Sequence, residues 1–433
     1  MTHSAPSPAR RRTPLEAFLQ TEAAGGLFLV LAAAAALLWA NGPFSESYRA
    51  LRDFPIAIEV GGFRLAKPLL LWVNDLLMAV FFFVVGLEIK REILVGELAG
   101  RKRAMLPVMA ALGGMLVPAG IYLLFNPQAP ERNGFGVPMA TDIAFAVGML
   151  ALLGRRVPVA LKVFLLALAI IDDLGAVLLI ALFYTAELAS GPLALAALVW
   201  LGAAVYGHLG GGRAGVFLLF GALLWFLVFQ SGVHATLAGV ALAFAVPIAH
   251  RADPKAVAAE LRRRAAGDFE DIEMTIGEAA QALVEARSPL HRFEHGLAPW
   301  VAWAIMPLFA LLNAGVAFTD LEGAPFASPV LLGVATGLLV GKPLGVVGAC
   351  LLAERLGLAH RPAGVSYGAI LGVGLIAGIG FTMALFIAGL AFPDPAVLDQ
   401  AKLGILTGSL AAALLGLACL HLSLRPKRER PAA

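Results

Sequence analysis

The sequence predicts an all-α polytopic membrane protein of about twelve transmembrane helices. Three observations carry that reading. Of the 433 residues, 60% are hydrophobic and only 14% charged, whereas a soluble domain is nearer half apolar and a quarter charged. The apolar residues gather into successive runs, many of them long enough to cross a hydrocarbon core of about 30 Å. Lys and Arg collect in alternate connections between those runs, the distribution that the positive-inside rule describes.

The elements follow in order. Residues 1–23 form a basic tail with Arg10, Arg11 and Arg12, and the first apolar run starts too late for a usual signal peptide. Transmembrane helices 1–8 fall within 24–249, near 24–41, 69–89, 104–125, 138–154, 159–185, 192–207, 214–230 and 234–249. The polar segment 250–296 reads as a cytoplasmic linker, with helical spacing of Ile272, Ile276, Ala279, Ala280 and Leu283. Helices 9–12 fall within 297–424, near 297–317, 329–352, 367–390 and 401–424, and 425–433 is a second basic tail. Basic clusters after the even-numbered spans, such as Arg155–Arg156 and Arg355/Arg361, place both termini in the cytoplasm. The connection 42–68 mixes Arg49, Arg52, Arg64 and Lys67 with acids, and reads as a short periplasmic hairpin around Glu59 to Arg64.

The net charge of +3 is small, and no basic, aromatic-bearing surface segment suits nucleic acid. Cys350 and Cys419 lie in apolar runs and read as small core hydrophobes. The sequence holds neither an HExxH nor a GxxxxGK[ST] signature, and neither a catalytic role nor a cofactor is expected.

The chemistry lies in the buried charges. Asp172 and Asp173 sit in the middle of VALKVFLLALAIIDDLGAVLLIALFY. A carboxylate at the bilayer centre costs roughly 2.5–3.5 kcal/mol on insertion scales, and such residues usually mark ion paths or proton relays. Adjacent helical residues point about 100° apart, so one of the pair faces a cavity while the other meets a neighbouring helix. Asp142 and Thr141 follow a Gly- and Pro-rich stretch with Gly134, Gly136 and Pro138. That composition weakens a helix, and broken membrane helices offer carbonyls and helix ends to ions. Asp142 fits both a helix N-cap and an ion ligand. Lys342, in LLGVATGLLVGKPLGVVGAC, needs a counter-charge in the membrane, and one of the two central aspartates is the apparent partner. GVGLIAGIGFTMALF carries glycines at 372, 374, 378 and 380, fitting either tight packing or a second unwound stretch. With the fourth span interrupted too, spans 3–5 and 10–12 read as inverted-topology repeats whose broken helices cross at the midplane.

Asp75 lies inside the second span, as an N-cap-like residue or at a cavity mouth. Glu88, Lys90, Arg91 and Glu92 close that span, either as a solvated helix end or as part of a response element. His234, Glu294 and His295 border membrane segments. Histidine titrates near neutral pH, which makes His234 and His295 candidate sensors, although a lone histidine is more often structural.

The strings NDLLMAVFFFVVGLEIKRE, PMATDIAFA, LAIIDDLGAV, SGVHATLAG and GIGFTMALFIAGLAF closely resemble the NhaA family of bacterial sodium/proton antiporters, over nearly the whole chain. The resemblance implies twelve helices with inverted repeats and two broken helices, in the inner membrane. It implies that Asp173 is the main cation-binding carboxylate and Asp172 the neighbour paired with Lys342. Asp142 and Thr141 then belong to the first broken helix and Asp75 to a funnel. Glu88, Lys90, Arg91 and Glu294 fall in the pH-response region, with His234 near a pH-sensitive position. Na+, Li+ and H+ are the implied cargo, membrane lipid the surroundings and a homodimer the assembly, served by the 42–68 hairpin.

Small hard cations prefer oxygen ligands, and neighbouring carboxylates oppose each other's ionisation, so protons and cations compete for one site. A sodium-coupled organic-anion symporter on the same fold is the alternative, although the carboxylates repel anions. An intramembrane aspartyl protease, whose acids sit on separate helices, fits the adjacent pair poorly.

Overall fold

The computed structural model describes residues 22–60, 63–185, 188–248, 288–318, 327–362 and 365–424. Residues 1–21 of the first tail, the whole of the second, the helical spacing at 272–283, and Asp320 and Glu322 between the ninth and tenth expected spans lie outside the described residues. The chain is an integral membrane protein, and its described residues form helices and one small hairpin.

Helix α1 (Glu22–Asn41) turns into the short α2 (Ser45–Arg52) with a bend of 117°. Tyr48 of α2 is buried, and its hydroxyl donates to Leu311 O at 2.8 Å. Strands β1 (Pro55–Val60) and β2 (Phe63–Pro68) pair antiparallel, with Pro55 opposite Pro68 and Glu59 opposite Arg64. The alternation of Ile56, Ile58 and Val60 with smaller or polar residues suits a two-faced strand. Then come α3 (Leu69–Leu94), α4 (Arg101–Phe125), α5 (Ile143–Leu152), α6 (Val159–Phe183), α7 (Ser190–His208), α8 (Ala214–Gln230) and α9 (Leu237–Ala245). After the linker follow α10 (Pro289–Asn313), α11 (Pro329–Arg355), α12 (Tyr367–Ala377), α13 (Phe381–Ala391) and α14 (Pro395–Ser423).

Among the described residues, seven helices are long and apolar enough to cross a membrane, or up to ten if each bent pair is one span. Helical bounds depart from the sequence reading where a cap decides them. The last helix begins at Pro395, ahead of the expected 401, because Asp394 accepts from Ala396 N at 2.9 Å and Pro395 takes the first helical position. Residues 289–296, read as linker, belong to α10: Ser288 accepts from His291 N and Pro289 opens the helix. The expected span 234–249 holds only the nine-residue α9, since Gly232 takes a left-handed turn (φ 81°) just before it.

Among the described residues three helices contain a π-helical turn: Val73–Leu77 in α3, Val301–Ile305 in α10 and Gly337–Gly341 in α11. The last two stand just before Pro307 and Pro343. Proline lacks an N–H and crowds the preceding turn, and a wider turn relieves that crowding.

Packing is set by glycine. A methyl group on Gly113 of α4 would strike Gly345 O of α11, and one on Gly345 would strike Gly113 O, so these backbones touch, as small residues allow in membranes. Gly175 of α6 lies against Met115 of α4. Elsewhere Gly239 of α9 meets Ala79 and Phe83 of α3. The first set draws α4, α6 and α11 together around Asp172 and Lys342.

Candidate functional site

Two breaks in the helices meet at the centre of the bundle. The first separates a 3₁₀ stretch, Glu131–Met139, from α5 with a bend of 41°, and the second separates α12 from α13 with a bend of 48°. Asp142 N donates to Ile379 O at 2.7 Å, joining one break to the other. The glycines at 378 and 380 are there for close approach: a methyl group on Gly380 would sit 3.1 Å from Ala140 O, and one on Gly378 would strike Leu338 O of α11. Ser409 of α14 accepts from Gly380 N and Phe381 N, both at 3.2 Å. It thereby satisfies amides that the start of α13 would leave orphaned.

Asp142 caps α5, accepting from Phe145 N at 3.0 Å through Oδ1. Its Oδ2 accepts from Thr382 N at 3.2 Å and from the Thr382 hydroxyl. The carboxylate thus faces the N-terminal ends of α5 and α13, where the backbone dipoles favour negative charge. Thr141 Oγ1 lies 2.7 Å from Asp172 Oδ2 and 2.8 Å from Ala377 O, so its one proton is shared between two acceptors.

Lys342 Nζ lies 2.7 Å from Asp172 Oδ2, both side chains fully enclosed, and also donates to Met139 O in the first break. Gly114 opposite leaves room for the lysine's stem, with Lys342 Cδ and Cε 3.7 Å from where a Cβ would be. The second carboxylate oxygen, Asp172 Oδ1, is buried without a hydrogen-bond partner among the described residues. Asp173 is buried beside it, and among the described residues its carboxylate makes no hydrogen bond. It lies within electrostatic reach of Glu88, Asp142 and Lys342.

A cavity of about 590 Å³, lined by Glu88, Arg91, Lys162, Ile143, Val147 and Leu166 among others, opens at one end of this region. Lys162 and Leu166 precede Asp173 by eleven and seven residues, about three and two helical turns, so all three share a face of α6. Asp173 therefore faces the cavity side while Asp172 turns to the lysine.

The remaining candidates fall into separate groups. Arg91 Nη2 lies 3.2 Å from Glu92, 3.4 Å from Glu294 and 4.0 Å from Glu88, and His291 Nδ1 is 3.7 Å from Glu294. His295 stacks on His291 with ring centroids 6.1 Å apart. Lys90 turns away from this cluster: its ammonium donates to Phe244 O, at 2.7 Å, and to Val246 O, compensating the carbonyl end of α9. His234 is elsewhere, 2.8 Å from Thr236 Oγ1 and edge-on to Phe386. Asp75 caps nothing. Its helix turn has no side-chain cap, and its carboxylate is bonded to Lys67 of β2.

Sequence reasoning missed Thr382, Lys67, Ser409 and the Met139 carbonyl. Thr382 had a usable signal, as a hydroxyl directly after a glycine-rich break in GIGFTMALF. Lys67 was visible only as one cation in a mixed-charge connection.

Among the described residues, no three His, Cys, Asp or Glu side chains converge as a metal site. A cation here would take at most the two carboxylates of Asp172 and Asp173, with hydroxyl, carbonyl or water oxygens completing its shell. Oxygen donors of that kind suit small hard cations.

The profile of the family described as Na+/H+ antiporter 1 matches residues 16–420. The chain is 50% identical over 434 residues to the Na(+)/H(+) antiporter NhaA 2 of Sorangium cellulosum, covering 97% of this chain and 93% of that protein. It is 47% identical over 443 residues to the Na(+)/H(+) antiporter NhaA of Oleidesulfovibrio alaskensis, covering 99% and 98%. With the Na(+)/H(+) antiporter NhaA of Escherichia coli K12 it shares 47% over 416 residues, covering 95% and 99%.

Proposed function

The chain belongs to the Na+/H+ antiporter 1 family, and on that premise we propose that it exports sodium or lithium in exchange for protons by competition at Asp172 and Asp173. One observation carries the reading. A lysine-paired aspartate with an orphaned oxygen, Asp172 Oδ1, adjoins a second buried carboxylate, Asp173, that makes no hydrogen bond among the described residues. Orphaned buried acceptors cost about 1–3 kcal/mol each, and a cation or a proton relieves that cost.

In this mechanism Asp173 receives the cation arriving through the cavity beside Glu88 and Arg91. Asp172 joins as second ligand, and Thr141 and broken-helix carbonyls complete the shell. Cation binding weakens the hold of Lys342 on Asp172, and loss of the cation restores it. Asp142 stays tied to Thr382 and keeps the two breaks together. If more protons enter than sodium ions leave, each turnover moves net charge, and about 2.3 kcal/mol per charge per 100 mV drives export. Arg91, Glu92, Glu294 and His291 form a charged group fit for pH response. His234 and His295 stand apart from it as further candidates. Twelve spans with inverted repeats, both termini in the cytoplasm, inner-membrane residence and a homodimer joined through the β1–β2 hairpin complete the proposal. For the anion symporter no particular observation speaks, since the acids repel its substrate.

The test is cation-induced proton movement in everted vesicles, read with an acridine dye, with sodium, lithium or potassium added. Dequenching by sodium and lithium that vanishes in Asp173→Asn supports the reading. A folded, inserted chain that gives no dequenching at any pH refutes it.

A further inference from the structure

Among the described residues, three charged side chains line the 590 Å³ cavity: Glu88, Arg91 and Lys162. Two of them are cationic, although the cavity leads toward carboxylates. Its wall includes Ile143, which directly follows Asp142, so the cavity reaches the broken end of α5. Arg91 is neutralised locally, with Glu92, Glu294 and Glu88 all within 4.0 Å. Lys162 is different. It is exposed to the cavity, and among the described residues its ammonium has no ion pair and no hydrogen bond. It stands on the face of α6 that carries Asp173, about 16 Å along the axis from it.

Two adjacent carboxylates with hydroxyl and carbonyl oxygens also suit magnesium and calcium. A divalent ion gains twice the Coulomb energy of sodium from the same acids. The oxygen donors alone therefore favour the wrong valence. Discrimination has to come from positive charge along the approach, and Lys162 supplies it.

We propose that Lys162 is a valence filter, a cation at the cavity wall that keeps divalent ions from the paired aspartates. This rests on the exchange reading above, in which the cavity admits the ion to Asp173. The physical ground is simple. Electrostatic energy is charge times potential, so whatever factor Lys162 imposes on a monovalent ion, it imposes the square of that factor on a divalent one. At about 10 Å in a water-like dielectric, one charge changes the local sodium concentration about twofold and that of magnesium about fourfold. Apolar walls such as Leu29, Val147 and Leu166 focus the field further. A proton carries one charge like sodium, so the filter leaves their competition balanced.

The test uses the full chain in lipid nanodiscs, with binding of radiolabelled sodium and its displacement by magnesium, at low salt and alkaline pH. In Lys162→Gln, sodium should bind about twofold more tightly and magnesium about fourfold. Lys162→Arg should match the unaltered chain. Lys162→Glu, a second variant at this exposed position, should give about fourfold for sodium and sixteenfold for magnesium. These differences should vanish in about 1 M choline chloride, where the screening length is about 3 Å. Equal factors for sodium and magnesium, or no change in either, overturn the proposal. Sodium-driven proton movement without a magnesium shift in the variants leaves the exchange reading standing and this one refuted. The square relation in a chain that moves no protons refutes the exchange reading and leaves the filter standing.

Discussion

Asp142 on α5 and Thr382 on α13 share a hydrogen bond across 240 positions of sequence. That contact, with Asp142 N to Ile379 O, fastens one helix break to the other. The central site is thus two interruptions tied by a single carboxylate, with the Asp172–Lys342 pair packed against them.

Removing Asp142 separates two roles. Asp142→Asn keeps one oxygen, which can accept from Phe145 N, but sets an NH2 against Thr382 N, and should melt between the unaltered chain and Asp142→Ala. Asp142→Ala loses the cap and the tie between breaks, and should cost about 1–2 kcal/mol for the cap alone. Thermal melting in detergent compares the two, and equal melting would remove the capping role.

The Lys342–Asp172 pair should behave as a buried ion pair. Lys342→Gln leaves a carboxylate unpaired and should destabilise by about 3–5 kcal/mol. Adding Asp172→Asn removes the orphaned charge and should recover much of that loss, a coupling that a double-variant cycle measures. Additive losses would contradict it.

Asp173 makes no hydrogen bond among the described residues, so little holds the fold through it. Asp173→Asn should leave the melting temperature unchanged or raised, while cation-dependent proton movement disappears. A folding defect of several degrees would show an overlooked structural part.

The glycine contact between α4 and α11 should be as intolerant as the charges. Gly345→Val has no room beside Gly113, and overpacking usually costs about 1–3 kcal/mol. Forced apart, α11 would carry Lys342 away from Asp172. Loss of activity with expression retained is expected, and unchanged activity would count against the packing account.

Lys90→Ala should remove the cap on the carbonyl end of α9, at a cost of about 1 kcal/mol, without disturbing Arg91 and Glu294. Hydrogen exchange at the end of α9 would report the loss.

The sequence by itself determined that this chain crosses a membrane and singled out Asp142, Asp172, Asp173 and Lys342 as charges set in apolar runs. The reason is local: charge in hydrocarbon is costly wherever the helix packs, so its presence alone singles those residues out. Gly134, Gly136 and Pro138 likewise marked the first break, through their own backbone preferences. Partner choice was another matter. Which aspartate meets Lys342 depends on the rotation of α6 against α11, fixed by glycine contacts at 113, 175 and 345 among residues far apart in sequence. Thr382 and Lys67 look like ordinary side chains until packing sets them against Asp142 and Asp75. Lys90, grouped by sequence with Arg91, turns instead to α9, because neighbouring positions on a helix face directions about 100° apart. Residue chemistry is written one position at a time, but a site exists only where distant positions converge, and that convergence was decided by the tertiary structure.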